Sequence, residues 1–440
     1  MTQTEAIPTG YKKTEIGVIP EDWEVELLGE LFNVSGGFAA SREQLSDVGF
    51  CYLHYGDIHN SKRTYIDVKE SYPKIPKLDT SITSISKSSL LNDGDVVFVD
   101  ASEDDEGASK HIVISNPDNI PYISGLHTIV LKSKDTHLKN IFKYYCFQPK
   151  YIKEQIKFYA VGTKVTGISK KNIAKIKIFF PTKNEEQQAI AQVLSDTDAL
   201  IESLEKLIAK KKAIKQGAMQ QLLTGKKRLP GFIGEWKTKE LNEIGNTYGG
   251  LSGKTINDFQ EGTYPYIPFL NIMNNPVINI HSFDYVNIRA DEKQNNVIKG
   301  DLFFNGSSET PEEVGMCSVL LDDIQDLYLN SFCFGFRLNR NLRTDGLYLS
   351  YFFRSSVGRK LIFSLAQGAT RYNLSKISFM KLKIPYPNPD EQTAIADILS
   401  DMDSEIEKLE QKRDKFILLK QGMMQQLLTG KIRLVKNGDN

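Results

Sequence analysis

One block of this chain is written twice. Residues 186–229 align with residues 391–434 at an offset of 205, and 27 of the 44 pairs are identical. The first copy opens EQQAIAQVLSDTDALIESLE and closes KQGAMQQLLTGKKRL. The second opens EQTAIADILSDMDSEIEKLE and closes KQGMMQQLLTGKIRL. A fainter echo at an offset of 213 aligns Trp23-Glu-Val-Glu-Leu-Leu-Gly-Glu-Leu with Trp236-Lys-Thr-Lys-Glu-Leu-Asn-Glu-Ile. Both runs lead to a Gly-Gly pair, Gly36-Gly37 and Gly249-Gly250. Further on, Gly94-Asp95 parallels Gly300-Asp301, and Ile168-Ser169 parallels Leu374-Ser375. Self-similarity of this kind points to one structural unit used twice. The order is variable block, near-identical block, variable block, near-identical block.

The near-identical blocks read as helices. Leu194, Ile201, Leu204 and Ile208 recur at three- to seven-residue spacing, as do Leu399, Ile406, Leu409 and Phe416. Asn184 with Gln187, and Asn388 with Glu391, have the spacing of a capping box, and Pro389 suits a first turn. Gly225 and Gly430 stand where a C-cap glycine belongs. From Glu186 to Leu223 an unbroken helix would run roughly 57 Å. Gly217 and Gly422 fall inside, which predicts a kink or a close helix approach. One such helix cannot bury its own stripe, so the two copies are expected to pack antiparallel on each other.

The variable blocks read as mixed α and β. Each ends in an alternating strand, with Ile176, Ile178 and Phe180 opposite Lys175 and Lys177, then Leu382 and Ile384 opposite Lys381 and Lys383. Asp95–Asp100 and His111–Ser115 read as strands. His137–Tyr159, broken near Pro149, and Leu347–Leu365 read as helical.

Charge is segregated the same way in both blocks, although the chain as a whole is neutral with 55 basic and 55 acidic residues. Residues 28–131 carry 8 basic and 15 acidic side chains; residues 132–180 carry 12 and 2. Residues 241–336 carry 4 and 13; residues 337–383 carry 10 and 1. A single charge run is usually a solvated face. The same polarity twice, in blocks that otherwise differ, predicts a phosphate-facing surface on each. Arginine, which predominates in the second basic portion, also suits the guanine edge.

Motifs that would make the chain an enzyme are incomplete. Gly253-Lys254-Thr255 lacks the first glycine of a P-loop, since position 248 is Tyr248. Pro389-Asp390 and Glu410-Gln411-Lys412 spell nuclease letters, but roughly 30 Å of helix would separate them. The acidic run 103–106 is more often a loop than a cation site. Cys51, His54 and His59 lack a zinc spacing and a second pair. No Asx-Pro-Pro-aromatic tetrapeptide marks an adenine methyltransferase, and no Gly-x-Ser-x-Gly appears. Four scattered cysteines, no basic-then-apolar leader and no long apolar run predict a cytoplasmic chain with no membrane role.

The layout resembles the specificity subunit of type I restriction–modification systems. The resemblance rests on Tyr11-Lys-Lys-Thr-Glu-Ile-Gly-Val-Ile-Pro20 with Trp23, on the Glu-Gln pairs Glu186-Gln187 and Glu391-Gln392, and on the closing Gln-Gln-Leu-Leu-Thr-Gly at 220–225 and 425–430. It covers nearly the whole chain. It implies two target recognition domains for double-stranded DNA and repeated helices that dock two modification (methyltransferase) subunits, together with motor-nuclease restriction subunits. S-adenosylmethionine and ATP belong to those partners, so no cofactor and no catalysis are expected here. Two other readings stand beside it: the recognition arm of a single-polypeptide restriction–methylation system, and a coiled-coil scaffold without nucleic acid.

The expected fold is α+β, with two mixed α/β recognition domains separated by two long antiparallel coiled-coil helices in a pseudo-twofold cyclic arrangement. Residues 1–23 form an N-terminal segment that completes the cycle, because no Trp-containing continuation follows Leu434. Recognition domains occupy 24–183 and 237–388; a central repeated helix with its linker occupies 184–236, and a distal one with its tail 389–440. Trp23 and Trp236 read as core anchors. Candidate DNA contacts are Ser102, Lys110, Thr163, Lys164, Thr166, Lys170 and Lys171 in the first half. In the second they are Lys254, Ser307, Ser308, Thr370, Arg371, Tyr372 and Asn373.

Overall fold

The computed structural model describes residues 7–102, 110–162, 166–260, 262–368 and 370–434, and only the backbone of Ile82. It divides into two compact units. One comprises Met1–Ser203 with Lys412–Asn440; the other comprises Leu204–Gln411.

The first unit is built on a five-stranded sheet. Its order is Phe32–Gly36, Thr128–Ser133, Val96–Val99, His111–Ser115, Tyr65–Asp67, antiparallel except for the last pair. The central strand is apolar throughout, Val96-Val97-Phe98-Val99, because both of its faces are covered. Successive side chains point to opposite faces. Val96 and Phe98 therefore enter the core made with helices Asn140–Cys146 and Lys150–Tyr159, whereas Val97 and Val99 enter a second core under the small sheet that contains Phe50–Leu53 and Tyr122–Ser124.

The second unit repeats the plan with other residues. Gly245–Gly249, Cys333–Leu338, Leu302–Asn305 and Cys317–Val319 form an antiparallel four-stranded sheet. Leu302 and Phe304 pack toward helices Gly346–Arg354 and Ser356–Phe363, and Phe303 packs into the opposite core. The expected helix 347–365 is interrupted at Ser355, whose hydroxyl accepts from the Gly358 amide and starts a new helix. The end strands are Lys177–Pro181 and Lys383–Tyr386.

The two near-identical blocks are helices of 39 residues each, Asn184–Leu222 and Pro389–Leu427. In the first unit Ile190, Ala191 and Leu194 share a core with Leu427 and Leu428. In the second, Ile395, Ala396 and Leu399 share one with Met219, Leu222 and Leu223. In each unit, then, the start of one helix lies with the end of the other. Gly225 and Gly430 close the helices at φ +69° each. The expectation for Gly217 and Gly422 is corrected. Both helices run through them without interruption, and a Cβ at either glycine would meet nothing within 4 Å.

Candidate nucleic-acid interface

Each helix start is tied to its recognition domain by the Glu-Gln pair, and not by the capping box expected from its spacing. Gln187 donates to the Pro181 and His137 carbonyls and accepts from the Lys139 amide; Gln392 donates to the Pro387 carbonyl and accepts from the Asp345 amide. Glu186 and Glu391 are buried and serve as acceptors. Glu186 receives the Trp23 indole N–H at 3.3 Å and two bonds from the Arg433 guanidinium, at 2.5 and 2.7 Å. Glu391 receives the Trp236 indole at 3.0 Å and two bonds from Arg228, at 2.6 and 2.7 Å. In both cases the guanidinium also lies over the indole, 5.9 and 5.6 Å from the ring centroid. A buried carboxylate is tolerated because a paired guanidinium and an N–H satisfy it. Arg433 also grips Asp22, and its proximity holds that carboxyl below the usual range. Tyr11 Oη donates to the Gly430 carbonyl at 2.9 Å. About three turns further along each helix, Tyr145 bonds Asp198 beside Lys420, and Tyr351 bonds Asp403 beside Lys215.

Several of the candidate DNA-binding residues are brought together on short ribbons at equivalent places. In the first unit Ala101–Ser102 pairs with Thr166–Gly167, so that Ser102 faces Thr166. In the second, Ser307–Ser308 pairs with Tyr372–Leu374, which pairs in turn with Ala366–Gln367. Ser307 thus faces Asn373, and Ser308 faces Tyr372. The same backbone bonds anchor both ribbons: Ile168 N to Asp100 O at 2.8 Å, and Leu374 N to Gly306 O at 2.9 Å. Gly162 and Gly368 adopt φ +143° and +140°, a region that disfavours side chains. Thr370 and Arg371 are exposed beside the second ribbon, and the Arg371 guanidinium donates to Ser307 Oγ. Thr163 and Lys164 lie outside the described residues, as does the acidic run 103–106.

Lys170 and Lys171 are exposed on the first turn after Ser169. The Lys170 ammonium lies over Gly36, close enough that a Cβ there would collide with it. The second unit repeats this contact with a lysine that the sequence reading passed over. Lys376 follows Ser375 as Lys170 follows Ser169, is exposed, and reaches to 3.9 Å from a Cβ at Gly249. The parallel of Ile168-Ser169 with Leu374-Ser375 already contained that signal.

Two expectations about charge change. Lys254 is paired with Glu292 and donates to the Asn287 carbonyl, with its side chain only 3% exposed, so its ammonium is spent inside the fold. Lys110 is exposed, but it donates to the His59 carbonyl at 3.1 Å. The paired charge counts also overstate the surface. Lys143 is buried against the Gly94 carbonyl and Ser133, and burial pushes its ammonium pKa down. Lys132 pairs with Asp95 and Arg337 with Asp301. Arg354 and Arg359 donate to backbone carbonyls, and burial brings Arg354 to about 10. Residue counts could not separate these from free cations, because an arginine letter does not say which carbonyls lie beneath it.

His54 accepts from the Gly56 amide and Cys51 is buried, so neither is presented for zinc. Among the described residues no cluster of three His, Cys, Asp or Glu is placed to hold a metal. All four cysteines are buried and unbridged, and no described helix is long and apolar enough to cross a membrane.

The model for the type I restriction modification DNA specificity domain matches this chain twice, over residues 20–215 and 233–415. The chain belongs to this family. Each match spans one ribbon, its lysine and one Trp–Glu pair, Trp23 with Glu186 and Trp236 with Glu391, while Arg433 and Arg228 lie outside both. Among relatives of this specificity-domain chain, the putative type I restriction enzyme MjaX specificity subunit of Methanocaldococcus jannaschii is 27% identical, covering 96% of this chain and 97% of the relative. The MjaVIII specificity subunit of the same organism is 25% identical over 95% of each. In fold it is similar to the crystal structure of the S subunit from M. genitalium, with a TM-score of 0.53, 16% identity and coverage of 92% and 96%. A chain solved for complex assembly and conformational transition of the type I R-M system gives 0.54 at 16% identity, covering 94% and 99%.

Proposed function

We propose that this type I specificity subunit recognises a bipartite, asymmetric DNA target, one half-site per domain with an unread gap between, and performs no catalysis itself. The observation that carries this reading is the repeated pair of ribbon and exposed lysine, built on two domains whose ribbon side chains differ. Identical frames would place two reading surfaces alike; different side chains would read different bases. The long helices would act as an antiparallel coiled coil that holds the domains and docks two modification subunits and the restriction subunits. The Trp23–Glu186–Arg433 cluster, matching Trp236–Glu391–Arg228, supports residues 1–23 as the segment that completes a pseudo-twofold cycle. Recognition domains at 24–183 and 237–388, joined by 184–236 and 389–440, and a cytoplasmic site of action complete the proposal.

The ribbon residues Thr166, Ser307, Ser308, Thr370, Arg371, Tyr372 and Asn373 would face base edges, whereas Ser102, which is buried, would back the ribbon and not read a base. Lys170, Lys171 and Lys376 would face phosphates; Lys110 stands nearer this group, and Lys254 is left out. Methylation mapping of a genome that carries the gene with its modification partners should return two unlike half-sites around a constant gap. On that target, replacing Lys170, Lys171 and Lys376 with Gln should flatten the slope of log affinity against log salt by roughly 2–3, at ~0.9 per phosphate. A single continuous or symmetric site, or an unchanged slope, would count against the proposal.

A further inference from the structure

Most guanidinium groups of the second domain are neutralised or sealed in. Arg337 pairs with Asp301, Arg343 with Asp390, and Arg354 and Arg359 with backbone carbonyls. Arg371 is held differently. Its Nε and Nη2 donate to the neutral Ser307 hydroxyl at 3.3 and 3.2 Å, and its guanidinium carbon lies 6.0 Å from the centroid of the Phe332 ring. Phe332 is itself 59% exposed, which a buried-core role does not explain. Among the described residues no carboxylate pairs with Arg371. Its guanidinium is braced along the Nε–Nη2 edge by that hydroxyl, which leaves the Nη1 hydrogens and one Nη2 hydrogen, the end-on pair of a guanidinium, outside the brace.

We infer that Arg371 reads a guanine in the half-site taken by the second domain; the inference rests on the DNA-binding reading above. Guanine offers O6 and N7 as adjacent acceptors in the major groove, and an end-on guanidinium meets both at once. Bracing matters because a fork already fixed in its plane loses less freedom on binding. A phosphate contact needs only a positive charge near an oxygen, and the exposed Lys376 on the neighbouring turn would serve for that. Here the serine and phenylalanine orient the group as well as hold it. The strand register, Ser307 facing Asn373, sets this fork on the same ribbon as the other polar side chains. By sequence the first domain places Val165 at the matching position, 206 residues earlier, in Gly162-Thr-Lys-Val-Thr-Gly167. The guanine should therefore belong to one half-site only.

Selection from a randomised duplex library, with the full chain assembled with its modification subunits, tests this with wild type, Arg371→Ala and Arg371→Lys. Wild type should select a G·C pair at one fixed position of the second half-site. Both variants should lose that preference by roughly ten- to a hundredfold, with the other positions, the gap and the first half-site retained. Arg371→Lys keeps the charge, so its loss of preference separates a fork from a point charge. The inference is overturned if Arg371→Lys retains the preference, or if the half-site contains no G·C pair. It is also overturned if both variants weaken all sequences alike, with a salt slope reduced by about 1, which marks a phosphate contact. If wild type selects no sequence, the DNA-recognition proposal falls with it. Thermal unfolding of the exposed-site variants should match wild type.

Discussion

The buried carboxylates Glu186 and Glu391 show how much one residue depends on its distant partners. Each is satisfied by an arginine and a tryptophan supplied from elsewhere in the chain. The Glu-Gln spelling was visible in the sequence, but its local spacing suggested helix capping. Only the folded chain brings Arg433 and Arg228 to those glutamates. Trp23 and Trp236, by contrast, were legible as anchors from their type and repeat. Tyr348 is a buried residue whose hydroxyl finds no partner among the described residues, and the first unit has Phe142 at the matching place. An unsatisfied buried hydroxyl costs about 1–3 kcal/mol. Tyr348→Phe should therefore stabilise the protein by about 1 kcal/mol, raising the urea midpoint at constant slope. A lower midpoint would mean the hydroxyl is bonded after all, for example to an ordered water.

At the scale of elements, strands were read from period and helices from spacing, and most stand where those patterns put them. The end strands, the break near Pro149 and the 39-residue helices follow from local physics. Ser355 was missed because its capping role competes with continuous helical spacing on both sides. Gly217 and Gly422 were assigned a kink or a close approach, yet the chain uses neither. Both are exposed, lie outside the positive-φ positions and have open space where a Cβ would go. Alanine there removes a backbone-entropy cost without a clash. Gly217→Ala and Gly422→Ala should each stabilise by up to about 1 kcal/mol, measured by urea unfolding. Unchanged or reduced stability would show that these glycines relieve strain the isolated chain does not display.

For the whole molecule, the long helices are the candidate ruler between half-sites. The packing shows where such a ruler can be lengthened. Met219, Leu222 and Leu223 are buried in the second unit's core, so an insertion near the end of the first helix would disrupt that core. Four helix-forming residues placed in both helices, after Ser203 and after Gln411, avoid it. Each helix then grows by about 6 Å, against ~3.4 Å per base pair. The added ~40° of helix rotation is close to the ~36° twist of one base pair. Methylation mapping of the double insertion should show the gap longer by about 1–2 base pairs and both half-sites unchanged. Altered half-sites with a constant gap would remove the helices from the role of ruler. The sequence alone determined the duplicated plan, the long helices, a few of the strands and the family, because those are carried by identity at fixed offsets and by period. Which cations remain free, and which glutamate meets which arginine, was decided only by tertiary structure. Lys254 and Lys376 carry the same letter and the same charge. One is spent on Glu292 and the other stands exposed, because neighbours more than thirty residues away in the chain decide whether a charge reaches the surface.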